Sequence, residues 1–105
     1  MAGVYTKEIQ PVEVHKRLEK EALFLLDVRE QDEWEDGHIE GARHIPLGEL
    51  GERMGELPRD KELILVCRSG NRSGLACEYM ESIGYDVTNM VGGMLAWPGK
   101  VKTGR

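Results

Sequence analysis

Two short apolar runs constrain the fold of this chain most strongly. Leu23-Phe24-Leu25-Leu26-Asp27-Val28 is apolar except at Asp27, and Leu63-Ile64-Leu65-Val66 is apolar throughout. A strand with one wet face alternates polar and apolar residues, whereas a strand covered on both faces does not. Both runs therefore read as inner strands of a parallel sheet with helices on either side. The second is followed at once by Cys67-Arg68-Ser69-Gly70-Asn71-Arg72-Ser73 and then by a segment of helical periodicity.

The remaining elements fit around these strands. Ile9-Gln10 suggests a short first strand. Pro11 suits the first turn of a helix in which Val14 and Leu18 share a face and Glu13 faces Arg17 as an i,i+4 pair. Gly41 to Pro46 reads as a short strand stopped by proline, and Leu47 to Leu57 as a short helix weakened by Gly48, Gly51 and Gly55. The spacing predicts a helix from Asn71 to Ser82, with Leu75, Ala76, Tyr79, Met80 and Ile83 on one face and Gly84 as its stop. Tyr85 to Met90 is a further strand, Gly92-Gly93 a loop, and Met94 to Trp97 a helical turn ended by Pro98. The acidic run Glu30 to Asp36 reads as a solvated face anchored by Trp34. This alternation predicts an α/β fold: a small, mainly parallel sheet flanked by helices on both faces.

Charge and length narrow the function. A chain of 105 residues is expected to form one domain, 1–105, with a core of its own. Its net charge of -5 argues against non-specific nucleic-acid binding. No apolar run approaches the roughly 20 residues of a membrane span. Residues Met1 to Lys7 lack the apolar centre of a signal peptide, so the expected location is the cytoplasm. Cys67 and Cys77 make no disulfide framework, and His15, His38 and His44 are too dispersed to suggest a metal site.

Ligands of open parallel sheets bind beyond the carboxyl ends of the strands. Cys67 occupies that position, facing the start of a helix. The short polar residues and glycine after it let successive N–H groups curl around one point, forming an anion-binding nest that the helix dipole reinforces. A thiol placed there, with Arg68 and Arg72 nearby, ionises more readily than a free cysteine. The segment reads as an anion cradle with a nucleophile at its floor.

Asp27-Val28-Arg29, Gly37-His38-Ile39-Glu40-Gly41-Ala42, Ile45-Pro46, the Cys67–Ser73 loop and Gly92-Gly93…Ala96-Trp97 follow one another as the motifs of a rhodanese domain do. The chain resembles that family from about residue 5 to about residue 100, in the short single-domain form. The resemblance implies sulfur transfer by double displacement. Cys67 would take the outer sulfur of thiosulfate as a persulfide and hand it to cyanide or a thiol, with no separate cofactor. Thioredoxin or another sulfur-relay protein is a possible partner. The N–H groups of residues 68 to 72 would hold the persulfide, which makes Arg68, Ser69, Gly70, Asn71 and Arg72 the expected binding residues. Arg72 would supply charge where loop meets helix, while Arg68 would face solvent and draw in the donor. Asp27, Arg29 and Ser73 would support the site, Asp27 being costly to bury unless paired with Arg29, another arginine or loop N–H groups.

Loop length separates sulfur from phosphate chemistry. Rhodanese-like phosphatases of the cell cycle carry cysteine and arginine six positions apart. Here the sixth position is Ser73 and the arginine comes at the fifth, Arg72. The tighter ring suits one sulfur atom better than a tetrahedral oxyanion. Two rivals stay open: a phosphatase or arsenate reductase on the same fold, and a non-enzymatic persulfide carrier or partner-binding module. Cys77, at the edge of the apolar helix face, reads as a packing residue, the alternative being a resolving thiol for Cys67. His38 reads as a structural hydrogen-bonder, because an ionised thiolate needs no general base. His15 and His44 read as surface or packing residues. Trp97 packs either in the core or near the loop mouth.

Overall fold

The computed structural model describes residues 7–105. Residues 1–6, which carry most of the reading of the N-terminus and the start of the resemblance, lie outside the described residues. Five strands form one parallel sheet: β1 (Lys7–Ile9), β2 (Phe24–Asp27), β3 (Arg43–His44), β4 (Leu63–Val66) and β5 (Val87–Met90), in the order β1-β5-β4-β2-β3. Four helices accompany them: α1 (Pro11–Leu18), α2 (Gln31–Asp36), α3 (Leu47–Arg53) and α4 (Asn71–Ser82). Two 3-10 turns, Met54–Glu56 and Gly93–Ala96, complete the described residues.

Both strong runs take the inner places, β4 at the centre with β2 beside it. Their continuity of apolar residues has the expected cause. Leu26, Leu63, Leu65 and Val87 face Leu50 of α3 and Ala76, Cys77 and Met80 of α4. Leu25, Ile64, Val66 and Met90 face Val14 of α1, with Met94 and Trp97 packed against the same cluster. Trp97 thus lies partly buried in the second core layer, edge-on to His15 at 5.4 Å between ring centroids.

Three local expectations need correction. Arg17 turns away from Glu13 and bonds Glu21 and Glu62, since two carboxylates within reach outweigh one. The acidic run is a short helix, α2, closed by a capping box: Glu30 and Glu33 each accept the other's backbone N–H. Helix α4 buries Ser73, Gly74, Ala76, Cys77 and Met80, while Leu75, Tyr79 and Ile83 are 55%, 52% and 38% exposed. The helix lies against the sheet through its small side chains. A Cβ on Gly74 would stand only 3.3 Å from Asn89 Nδ2, so the larger residues are left on the outer flank.

Parallel pairing gathers the ends of β2, β4 and β5 at one edge. Asp27 pairs with Val66 in register, which places it beside the residue that precedes Cys67. Leu65 pairs with Asn89, so the last turn of β5 lies under the loop that leaves β4. No helix among the described residues is long and apolar enough to cross a membrane.

Candidate active site

Cys67 is buried where β4 ends. Gly70, at φ +100°, turns the chain back so that its N–H donates to Cys67 Sγ at 3.0 Å. Positive φ at this place favours glycine. Ser73 Oγ lies 3.3 Å from the same sulfur. Burial pushes the thiol up, but the Ser73 hydroxyl and the N–H groups of Ser73, Gly70 and Ser69 outweigh it. The net effect holds Cys67 below its ordinary value. The nucleophile therefore ionises more readily than a free cysteine.

Of the loop N–H groups, that of Gly70 bonds the sulfur directly, and those of Ser73 and Ser69 also lower the thiol. Ser73 contributes because it sits in the first turn of α4, where N–H groups have no partner inside the helix. Its hydroxyl makes it a direct neighbour of the sulfur as well as a support. Asn71 and Arg68 are exposed, and Arg68 makes no ion pair among the described residues. Arg72 is half-buried and feels the charge of Cys67, yet its Nη1 and Nη2 each lie 2.7 Å from an oxygen of Glu33.

Asp27 and Arg29 form a buried ion pair behind the loop. Arg29 Nε lies 3.0 Å from both Asp27 oxygens, Nη2 is 2.8 Å from Oδ2, and the Arg29 N–H also donates to Oδ1. The guanidinium continues to the Gly37 carbonyl at 2.8 Å, tying β2 to the end of α2. Trp34 lies between two imidazoles, stacked on His38 at 3.6 Å and on His44 at 4.7 Å. His38 Nδ1 donates to the Trp34 carbonyl at 2.6 Å, and His44 Nε2 to the Arg29 carbonyl at 2.8 Å. Both histidines hold backbone in place, and no hydrogen bond links either to the cysteine.

Two residues of this edge, Asn89 and Glu33, escaped the sequence reading. Asn89 is buried in β5, donates from Nδ2 to the Gly70 carbonyl at 3.1 Å and faces Ser73 Oγ with Oδ1 at 2.5 Å. The signal was a polar residue in a segment that otherwise reads as a covered strand, which demands a partner. Glu33 was hidden in the acidic run, although its spacing of three from Glu30 marks a helix start. Gly93 approaches so closely that a Cβ there would lie 2.4 Å from the Cys67 carbonyl oxygen. Met94 and Leu95 then donate to the carbonyls of Cys67 and Arg68 at 2.9 and 3.0 Å. The Gly92-Gly93 loop is thus a backbone clamp on the cysteine loop.

Cys77 is fully buried and unbonded to any other sulfur. Burial, with lesser contributions from Glu81 and Cys67, pushes its thiol up to about 12. It is a packing residue and a poor nucleophile. Among the described residues no cluster of three or more His, Cys, Asp or Glu side chains could hold a metal ion.

With this geometry in view, the likeness to known proteins is specific. The family model of the rhodanese-like domain matches residues 10–100. The "Putative sulfurtransferase YtwF" of Bacillus subtilis is 42% identical over 97 residues, covering 91% of this chain and 94% of that protein. A "Sulfurtransferase" of Allochromatium vinosum is 38% identical over 92 residues, covering 86% of each. The crystal structure of a rhodanese-like domain protein from Staphylococcus aureus superposes with a TM-score of 0.89 at 30% identity, over 95% of this chain and 100% of that one. The chain belongs to the rhodanese-like domain family.

Proposed function

We propose that this protein is a sulfurtransferase working through a persulfide on Cys67. The observation that carries this reading is the sulfur itself: buried at the end of β4, held by the Gly70 N–H at 3.0 Å and lowered below its ordinary value by its donors. In the first step the Cys67 thiolate attacks the outer sulfur of a donor such as thiosulfate. The S–S bond of the donor breaks, sulfite leaves with the bonding pair, and Cys67 carries the sulfur. In the second step a thiophilic acceptor, cyanide or a thiol, attacks the terminal sulfur and restores the thiolate. A thiol on a small molecule, on thioredoxin or on another sulfur-relay protein would serve. The N–H groups of Ser69, Gly70 and Ser73 neutralise the charge at both stages without a cofactor. Arg68, exposed at the mouth, draws the anionic donor in, Asn71 lines the rim, and Arg72 borders the ring. Asp27 and Arg29 keep the loop's floor in place. Two free thiols suit a reducing compartment, and we place the protein in the cytoplasm.

The test is intact-mass spectrometry of the native protein and of Cys67→Ser after brief exposure to thiosulfate and then to cyanide. The expected result is gain of one sulfur by the native protein alone, removed by cyanide with release of thiocyanate. A folded, reduced protein that gains no sulfur from thiosulfate but takes it from a protein persulfide would be a carrier. Hydrolysis of an aryl phosphate dependent on Cys67 would instead establish the oxyanion chemistry that the five-residue spacing to Arg72 disfavours.

A further inference from the structure

The site holds fewer available cations than its arginines suggest. Arg29 is neutralised by Asp27. Arg72 feels the charge of Cys67, and both arms of its fork are taken by Glu33. A two-pronged arginine–carboxylate pair is the strong, directional form of this interaction. The carboxylate is itself anchored, because Glu33 Oε1 also accepts the Glu30 N–H at 3.1 Å. Its side chain is 25% exposed and that of Arg72 32%, so the pair is partly withdrawn from solvent. A dianion approaching an anionic sulfur needs positive charge at the mouth, and here only Arg68 remains exposed to supply it, while the Arg72 guanidinium is cancelled by a carboxylate fixed from two sides.

We propose that Glu33 is a specificity-determining residue: its two-pronged pair with Arg72 withholds that guanidinium from small dianionic donors. The cradle is then better suited to sulfane sulfur carried on a thiol, as a perthiol. The inference rests on the sulfur-transfer reading. The favoured step is attack of the Cys67 thiolate on the outer sulfur of R–S–SH. The new Cys67–sulfur bond forms as the donor S–S bond breaks, R–S⁻ leaves with the electron pair, and the proton stays on the transferred sulfur. Charge is conserved at minus one throughout. The same step with thiosulfate brings three negative charges together.

Glu33→Gln tests this cleanly. Glutamine serves the third position of a capping box as glutamate does, so α2 keeps its start while the charge disappears. The first readout needs no sulfur transfer. It is the ratio of Cys67 alkylation rates with anionic iodoacetate and neutral iodoacetamide, read by peptide mass on the full chain. The ratio should rise about five-fold in Glu33→Gln at low salt, and less at high salt. It should return to the native level when Arg72→Gln is added. The second readout is kcat/KM for thiosulfate, which should rise by a similar factor. That for the persulfide of an uncharged thiol, N-acetylcysteamine, should stay within about two-fold. An unchanged alkylation ratio, or equal loss with both reagents, overturns the role of Glu33 while leaving sulfur transfer standing. A raised ratio in a protein that accepts sulfur from neither donor overturns the sulfur-transfer reading, and the donor preference with it.

Discussion

Ser73 Oγ lies 2.5 Å from Asn89 Oδ1, and the same hydroxyl is 3.3 Å from Cys67 Sγ. A serine hydroxyl has one proton for these two acceptors. Asn89 is oriented unambiguously, since its amide nitrogen donates to the Gly70 carbonyl. Its Oδ1 can only accept. When Cys67 is a neutral thiol, its proton can go to Ser73 Oγ while Ser73 donates to Asn89. When Cys67 is ionised, the Ser73 proton is drawn to sulfur. Asn89 therefore steadies the loop twice, through Gly70 and through Ser73, and competes with the sulfur for one proton.

Ser73→Ala should accordingly raise the thiol value of Cys67, because the thiolate loses a hydrogen bond that favours its charged form. The check is the pH midpoint of iodoacetamide alkylation, which should move upward. An unmoved midpoint would remove Ser73 as a donor to the thiolate. Stability follows with a defined sign. The folded value of Cys67 is depressed, so its contribution is complete above the unfolded thiol value of about 8.5 and is lost as pH falls through the folded value. Ser73→Ala should flatten that rise of stability with pH.

Gly93→Ala should destabilise the protein by about 2–4 kcal/mol, seen as a lower urea midpoint at unchanged slope. The reason is geometric. Gly93 has φ +55°, and its Cβ would fall 2.4 Å from the Cys67 oxygen and 2.5 Å from that of Arg68. Backbone cannot move aside there without breaking the bonds from Met94 and Leu95. A variant as stable as the native protein would show that the clamp yields easily.

Asp27→Asn should cost about 3–5 kcal/mol, because it leaves the Arg29 guanidinium buried without its counter-charge. The double variant Asp27→Leu with Arg29→Met should be less destabilised than the single one. Equal losses would mean that the Arg29 bond to the Gly37 carbonyl, and not the ion pair, holds this corner together.

Cys77→Ala should lower stability by about 1 kcal/mol through a small cavity and leave sulfur transfer within about two-fold of native. Its native thiol should resist alkylation at neutral pH, since burial holds it up at about 12. A Cys67–Cys77 disulfide found by peptide mass after sulfur loading would reinstate it as a resolving thiol.

What the sequence disclosed and what it hid divide along a physical line. Leu63–Val66 and Leu23–Val28 were legible because two-sided burial is written in every residue of such a strand. The cysteine loop was legible because a polar, glycine-bearing turn between strand and helix has few other uses. The buried side of α4 was misread because periodicity ranks residues by apolar size. The packing here instead selects small residues, Gly74, Ala76 and Cys77, and leaves Leu75 and Tyr79 outside. Asn89 and Glu33 were hidden because their roles depend on partners 16 and 39 positions away in the chain. Only the tertiary packing of strands and helices brings these together.

Glu33 gives the clearest pH signature. The Arg72 guanidinium is the main cause that holds its carboxyl down at about 2, against a usual value near 4.5. A depressed carboxyl stabilises the fold fully above its unfolded value, and that contribution is lost as pH falls through the folded value. The pair is partly exposed, so solvent screening limits its worth to about 1 kcal/mol. Glu33→Gln should therefore be less stable than native by about that amount at pH 7. The two stability curves should converge between pH 4.5 and 2, where the native carboxyl becomes protonated. Urea unfolding of both proteins at several pH values measures the gap. A gap that persists unchanged at pH 2 would show that the loss comes from the cap of α2 and not from the charge on Arg72.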